Sequence, residues 1–442
     1  MTSEATSITY PADPRAPLTG DRNEAERFVA SLDAYAMGPR LSAALHTSRQ
    51  PCHVLDAKYQ PGLQATVLYQ YGADLIRGDL VASDGSPTGA PLTEWPGVEL
   101  SVFPDDPGLP TLPMAMTASL VGPQLAQLSP ALTPIQRRSL SRRCKVTLLR
   151  YRPGKRATLR LGTPIVDASW IAKVYHDPAK AAAVAHEAQA LLRTTAGDGP
   201  LRLAPTIGYL PDISVVVQQS IHGQPLVSLL QTPEGPGTAA AEAVRRAASA
   251  LAQLHRGAIV STRSRPVGKE LHRFLARALR ISAVDSRVGD QLAGLAERLL
   301  QTFPAFPVAP LGLVHGDCKP GQFLLTKDSA VYLLDLDHCG VSDQAGDAGT
   351  FVASLRQLAV QRTLAGASPA CAAGFAALAE EFITSYSKSM GNNVSTQIRW
   401  HEVVALQRKA LRSFARSPKS PLPAALVEEG HRCLDRVTQE LS

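Results

Sequence analysis

The sequence is poor in aromatic residues, 5% of 442 positions, while Ala and Leu are abundant. That balance suits a helix-rich body. Cysteine is also scarce. The six are scattered, with no Cys-x2-Cys pair. Cys318 and Cys339 lie close in sequence, but no His or Cys stands beside them at zinc spacing. They therefore read as reduced thiols of a cytoplasmic protein. No run of about 18 apolar residues is present, so no membrane span is expected. Met1-Thr2-Ser3-Glu4 lacks the basic and apolar segments of a secretion signal. Lys and Arg exceed Asp and Glu by only seven, and no basic run is interleaved with aromatics. A nucleic-acid partner is thereby disfavoured, whereas an anionic co-substrate fits. Length allows two or three domains, and the 45% hydrophobic and 19% charged composition is globular.

The most informative stretch is Val314-His315-Gly316-Asp317-Cys318-Lys319-Pro320-Gly321-Gln322-Phe323-Leu324-Leu325, then Val331-Tyr332-Leu333-Leu334-Asp335-Leu336-Asp337. An apolar run delivers a carboxylate, a Pro/Gly loop delivers an amide, and a second apolar run delivers an acidic pair. Phosphoryl transfer from a metal-bound nucleotide needs a carboxylate to receive a hydroxyl proton and hard oxygen ligands for the ion.

His315-Gly316-Asp317, then Gln322, Asp335-Leu336-Asp337 and Gly346-Asp347-Ala348-Gly349 resemble the aminoglycoside phosphotransferase and choline kinase-like family. The resemblance implies a protein-kinase-like fold, with ATP and Mg²⁺ as cofactors. It makes Asp317 the catalytic base, Gln322 and Asp335 metal ligands with Asp337 assisting, and Asp347 with His315 the support of the loop. The chain departs from the family pattern at three places. Gln322 replaces Asn, keeping the ligand type on a longer arm. Leu336 stands where an aromatic is common. Lys319 stands where His is usual, as in protein Ser/Thr kinases, and would hold the γ-phosphate as a point charge.

Two hairpins look alike. Ala57-Lys58-Tyr59-Gln60-Pro61-Gly62-Leu63-Gln64-Ala65-Thr66 and Leu149-Arg150-Tyr151-Arg152-Pro153-Gly154-Lys155-Arg156-Ala157-Thr158 share Tyr, Pro, Gly, Ala and Thr at the same spacing. A third strand follows each, Val98–Phe103 before Asp106-Pro107 and Trp170–Tyr175 before Asp177-Pro178. A duplicated three-strand unit is expected, with Ser101 at about the place of Lys173. The first copy then lacks nucleotide chemistry and serves as a cap or a platform for a substrate or partner.

By the same resemblance the second copy is a kinase small lobe. Lys173 on a strand would pair with Glu187 on the helix Ala179 to Leu192 and hold the α- and β-phosphates. Lys155, Arg156 and turn amides would cover phosphates, in place of a Gly-x-Gly-x2-Gly loop. Backbone groups of Gln219 to Ile221 would meet adenine at the hinge. Beyond Thr238 the pattern is helical: Ala241 to Arg256, Leu271 to Ile281, Gln291 to Phe303, Thr350 to Leu364, Pro369 to Met390 and Thr396 to Phe414. His255 reads as structural. The Arg and Lys of the last helix argue against a polycationic acceptor.

The expected architecture is α+β and bilobal: an N-terminal unit over residues 1–136, a small lobe over 137–220 and a helical large lobe over 221–442. Residues 1–20 read as loosely held, Asp21 to Leu45 as one helix and 83–97 as a loop. The expected activity is transfer of the γ-phosphoryl group of ATP to a hydroxyl of a small molecule such as a sugar, amino alcohol or antibiotic. A peptide or protein Ser/Thr acceptor and a non-catalytic, degenerate kinase remain open. No nucleic-acid or membrane partner is expected.

Overall fold

The computed structural model describes residues 20–81, 90–91, 97–164, 166–195, 199–232, 235–305 and 311–441. Residues 1–103 and 104–442 form two compact units. The division thus falls after Phe103, earlier than the sequence boundary at 136, because three helices that follow belong with the second unit.

The first unit opens with α1 (Arg22–Ser31) and α2 (Ala34–Ala44). The sequence suggests one helix here, but the Asp33 side chain accepts from the amides of Tyr35 and Ala36 and starts a second. Short acidic side chains compete for backbone donors in this way. A five-stranded antiparallel sheet follows: β1 (Cys52–Gln60), β2 (Gln64–Tyr71), β3 (Asp74–Leu80), β4 (Ala90–Pro91) and β5 (Val98–Val102), in the order β1-β2-β3-β5-β4. Most of the loop expected over 83–97, like residues 1–19, lies outside the described residues.

In the second unit, α3 (Leu112–Met116), α4 (Ala118–Gln127) and α5 (Pro134–Arg143) precede another five-stranded antiparallel sheet. Its strands are β6 (Lys145–Arg152), β7 (Arg156–Thr163), β8 (Val166–Tyr175), then β10 and β11 after the helix α6 (Pro178–Thr194) and the short strand β9 (Leu201–Leu203). β10 is Thr206–Leu210 and β11 is Val215–Gln219, and the sheet order is β6-β7-β8-β11-β10. α6 packs Ala181, Val184 and Ala185 onto Val216 and Tyr175 of this sheet.

The two sheets therefore have the same strand order. Their hairpins also share register: Tyr59 faces Ala65 as Tyr151 faces Ala157, and Gly62 and Gly154 turn the corner at φ +68° and +66°. The partner of β2 is β3, not the Val98–Phe103 strand that the sequence comparison pairs with Trp170–Tyr175. Thr66 faces Asp79 where Thr158 faces Lys173, so Asp79 rather than Ser101 stands at the Lys173 position. β3 carries Arg77, Gly78 and Asp79 in a row, a sequence with no strand-like alternation.

The chain continues through β12 (Gln224–Pro225), α7 (Leu226–Leu230), α8 (Thr238–His255), α9 (Val267–Val284) and α10 (Ser286–Thr302). The short strands β13 (Leu311–Val314), β14 (Phe323–Leu325), β15 (Val331–Leu333) and β16 (Gly340–Asp343) follow, then α11 (Ala345–Leu364), α12 (Pro369–Met390), α13 (Ser395–Arg416) and α14 (Leu422–Leu441). β13 pairs with β16, while β12, β14, β15 and β9 make a four-stranded sheet. Phe323, Phe351, Phe382 and Tyr386 are buried, with the Phe351 and Phe382 rings stacked at 4.0 Å. This apolar block anchors the strands that carry the acidic residues to α11 and α12. A small antiparallel sheet with one helix against it, followed by a helical body, is the α+β, protein-kinase-like arrangement. Among the described residues no helix is long and apolar enough to cross a membrane.

Candidate active site

The loop after β13 is fixed from behind. Asp347, in the first turn of α11, accepts from the amides of His315 at 2.5 Å and Gly316 at 2.8 Å. His255 Nε2 lies 3.1 Å from the same carboxylate, and Tyr386 Oη is 2.6 Å from His255 Nδ1. Burial pushes the Asp347 carboxyl up, yet the His255 hydrogen bond and the neighbouring imidazoles hold it below the ordinary range. Asp347 reaches this place because α11 crosses α13 closely at Gly349, where a Cβ would lie 2.6 Å from the His401 backbone.

His315 is buried, and its Nε2 lies 2.8 Å from the Leu334 carbonyl. A carbonyl only accepts, so Nε2 carries the proton and Nδ1 accepts the Asp317 amide at 3.3 Å. Gly316 has φ +77°, and a Cβ there would come within 2.2 Å of the His338 carbonyl. Glycine is required on both counts. His315 thus joins the Asp317 loop to the end of the Asp335 strand.

Asp317 meets Lys319 Nζ at 2.5 Å, and Arg412 lies 3.9 Å away. Burial raises its carboxyl, but Lys319 and then Arg412 bring it below its ordinary value. Asp335 occupies the left-handed region, φ 62° and ψ 58°. That conformation is costly for a non-glycine residue and is found where surrounding contacts enforce it. Here they are ionic. Lys173 Nζ lies 2.9 Å from Asp335 Oδ1 and 2.8 Å from Asp337 Oδ1. Arg156 donates to Asp335 Oδ1 and Oδ2 at 2.9 and 3.1 Å and also pairs with Asp337. Tyr175 donates to Asp337 Oδ2 at 2.7 Å. Two cations and two carboxylates balance in a largely buried cluster. Burial opposes ionisation of Asp335 and Asp337, but Lys173 and Arg156 hold Asp335 well below its ordinary range and Asp337 below it.

Asp317, Lys319, Gln322, Asp335, Asp337, Lys173 and Arg156 are therefore gathered in and around one cluster. Other expected pairings change. Glu187 does not reach Lys173. Its carboxylate is taken by Arg263 and by Ser261 Oγ at 3.0 Å, while Arg263 also donates to the Asp337 carbonyl at 3.0 Å. The Lys173 ammonium is saturated by the acidic pair, and the Arg263 guanidinium offers Glu187 a two-pronged partner. The β6–β7 turn is not open to phosphates through Gly154, whose amide donates to Asp106 at 2.6 Å. Lys155 is exposed on that turn, with its amide bonded to the Arg152 carbonyl. At the expected hinge the amides of Gln219 and Ser220 are engaged by Pro205 and Ser169, and the Ile221 amide has no such bond among the described residues.

Sequence reasoning passes over Arg152, Tyr175 and Arg263. Tyr175 is detectable in principle, being two residues from Lys173 and so on the same strand face. Arg152, half-buried beside Arg156, has a guanidinium destabilised by burial and by Arg150 and Arg156, then partly restored by Asp335 and Asp317. No ion pair to it is present among the described residues. Arg263 carries no local signal.

The donor set is suited to Mg²⁺. Gln322 Nε2 lies 3.4 Å from Asp335 Oδ2, so the amide and carboxylate converge, and rotation of the amide presents its oxygen instead. One or two carboxylates and an amide, completed by phosphate oxygens, are what a small hard cation takes. No cluster of three or more His, Cys, Asp or Glu fit for a metal occurs among the described residues. Cys318 and Cys339 are buried, their thiols pushed up by that burial, and all six cysteines are unpaired. An apolar cleft of about 330 Å³, lined by Phe303, Val341 and Trp400 among others, includes none of Lys173, Asp317 and Asp335.

Comparison with known proteins supplies the family. The model of the phosphotransferase enzyme family, APH, matches residues 156–381, a span that begins at Arg156 and contains Lys173, Asp317, Gln322, Asp335, Asp337 and Asp347. No curated protein matches. Among solved structures, choline kinase from Cryptosporidium parvum Iowa II is 12% identical, with 72% of this chain and 95% of that one covered at a TM-score of 0.45. A choline/ethanolamine kinase family protein from Mesorhizobium loti is 16% identical, with 72% and 96% covered at 0.43. Macrolide 2'-phosphotransferase from Brachybacterium faecium is 15% identical, with 66% and 91% covered at 0.41. The family match extends over just over half of the chain, and the chain belongs to the phosphotransferase enzyme family.

Proposed function

We propose that the protein transfers the γ-phosphoryl group of ATP, with Mg²⁺, to a hydroxyl of a small molecule. The observation that carries this reading is the cluster of Lys173 and Arg156 on Asp335 and Asp337, with Asp317 on the adjoining loop. Asp335 and Gln322, assisted by Asp337, would hold Mg²⁺, which when bound neutralises charge on the transferred group. Lys173, Arg156 and Arg152 would then serve the phosphates, exchanging carboxylate partners for phosphate oxygens. Asp317 orients the acceptor hydroxyl and takes its proton as the new O–P bond forms and the bond to the ADP oxygen breaks. Lys319, on Asp317 in this structure, would follow the transferring group. Positioning and charge neutralisation supply most of the rate. Ile221 offers the free hinge amide for adenine.

We further propose that the first unit is a degenerate copy of the small-lobe sheet, without nucleotide chemistry. Asp79 at the Lys173 position presents the wrong charge to phosphates.

The test is a calorimetric titration with ATP, with and without Mg²⁺, on the wild type and Asp335→Ala, followed by phosphoryl transfer by wild type and Asp317→Asn. Mg²⁺-dependent binding that Asp335→Ala removes, and transfer that falls by several orders of magnitude in Asp317→Asn, are expected. Binding indifferent to Asp335, or near-wild-type transfer by Asp317→Asn, would overturn the assignment.

A further inference from the structure

The face beside Asp317 holds more positive charge than its acids neutralise. Lys319 and Arg412 both lie on the Asp317 carboxylate, at 2.5 and 3.9 Å. One turn back on α13, Lys409 has neutral partners only, Ser354 Oγ at 2.9 Å and Gln357 Oε1 at 3.1 Å. Arg408 is neutralised by Glu270, at 2.7 and 2.9 Å. α9 packs against α13 and carries Arg277, which lies near enough to Arg412 to feel its charge. Half-buried Arg277 has no carboxylate within 4 Å among the described residues. Among the described residues, Asp317 and Glu270 are the acids that pair with these cations, and Arg408 already uses one of them.

Mutual repulsion agrees with this count. Burial first, and then Arg412 and Arg280, lower the Arg277 guanidinium. Lys409 is lowered to about 7 by burial and by Arg412, Lys319 and Arg408, with Asp317 opposing. Arg412 is exposed, whereas Lys409 and Arg277 are half-buried, and half-buried cations beside others of their sign are costly unless an anion completes them. A cationic alcohol entering here would add to the repulsion, whereas an anion would relieve it.

We propose that the acceptor alcohol carries an anionic group, phosphate or carboxylate, received by Arg412, Lys409 and Arg277 while its hydroxyl meets Asp317. This deepens the phosphotransferase reading and rests on it. A planar guanidinium suits either anion through paired hydrogen bonds. Lys319 stays free to move between Asp317 and the transferring group.

The experiment is a calorimetric titration of the full chain saturated with ADP and Mg²⁺, using glycerol 3-phosphate, glycerate, glycerol and choline as probes. The anions should bind about tenfold or more tighter than glycerol or choline, and Arg412→Gln and Arg277→Gln should each weaken them about tenfold, with ADP affinity as the control for folding. The tighter of the two anions identifies the group. Choline or glycerol binding as tightly as the anions, no anion binding, or anion binding that neither variant weakens would overturn the anionic acceptor while leaving the phosphotransferase reading standing. Failure of the wild type to bind ADP with Mg²⁺ at all would overturn both.

Discussion

The two five-stranded sheets share a strand order, a hairpin register and a way of bracing the turn. In the second, Asp106 accepts from the Gly154 amide and from Tyr151 Oη at 2.6 and 2.8 Å. In the first, Glu24 accepts from the Gly62 amide at 3.1 Å and lies beside Tyr59, whose phenol is raised by burial and then by Glu24. The difference lies on the third strand. Asp79 meets Thr66 Oγ1 and Arg77 Nε of its own sheet, each at 2.6 Å. Lys173 looks outside its sheet, to Asp335 and Asp337. The second sheet also has a helix, α6, between its third strand and the next two. Two similar sheets can thus differ in chemistry through one sign of charge and the acids that meet it.

The strongest way to break the contrast is to make the second sheet like the first. Lys173→Asp would place a third carboxylate beside Asp335 and Asp337 with Arg156 alone to neutralise them. Transfer should fall by about a thousandfold or more, and stability by about 3–5 kcal/mol, since the remaining charges are buried. Rates and urea titration read the two effects. The reciprocal Asp79→Lys should weaken the first unit without creating a nucleotide site, so calorimetry should still count one ADP per chain. A second equivalent of ADP would defeat the contrast.

Smaller changes separate brace from chemistry. Asp106→Ala strands the Gly154 and Tyr151 donors and should cost about 1–3 kcal/mol while raising the KM for ATP, because the turn precedes Arg156. Glu24→Ala should cost a similar amount and leave that KM alone. If both variants shift the KM equally, the braces are not confined to their own sheets. At the proposed metal ligands, Gln322→Asn should retain substantial transfer, whereas Gln322→Ala should raise the Mg²⁺ needed for half-maximal rate on the order of tenfold. An unchanged Mg²⁺ requirement would remove Gln322 from the donor set.

The arrangement of the loop was legible where each part is a residue type at a fixed interval: His315-Gly316-Asp317 after an apolar run, Gln322 beyond a Pro/Gly loop, and an acidic pair after a second apolar run. Helices from α8 to α13 followed from apolar spacing. What escaped was relational. Arg263 takes Glu187 from a loop 76 residues away in sequence. β3 was hidden by Arg77 and Asp79, polar residues that are buried and pair with each other. The three helices that lie in sequence between the two sheets escaped as well, all of them with proline within or near the start, which interrupts the pattern a reader looks for.

The last and smallest effect concerns pH and belongs to the second unit. In residues 20–103 the shifted groups, Cys52, Tyr59 and Tyr69, all move upward, away from neutral pH. Lys409 instead falls to about 7 from an ordinary 10.5, through burial and then Arg412, Lys319 and Arg408. Between those values the unfolded chain binds the more protons, so this group makes stability rise with pH. Below about 7 both states hold the proton and the full penalty stands. Lys409→Met should therefore raise the melting temperature at pH 6 by about 2 °C, and the gain should shrink as pH approaches 10. The same protonation should tighten glycerol 3-phosphate binding as pH falls through 7, an effect absent in the Met variant. A gain independent of pH would mean that Lys409 stays charged throughout, and the contrast in titration between the two units would be lost.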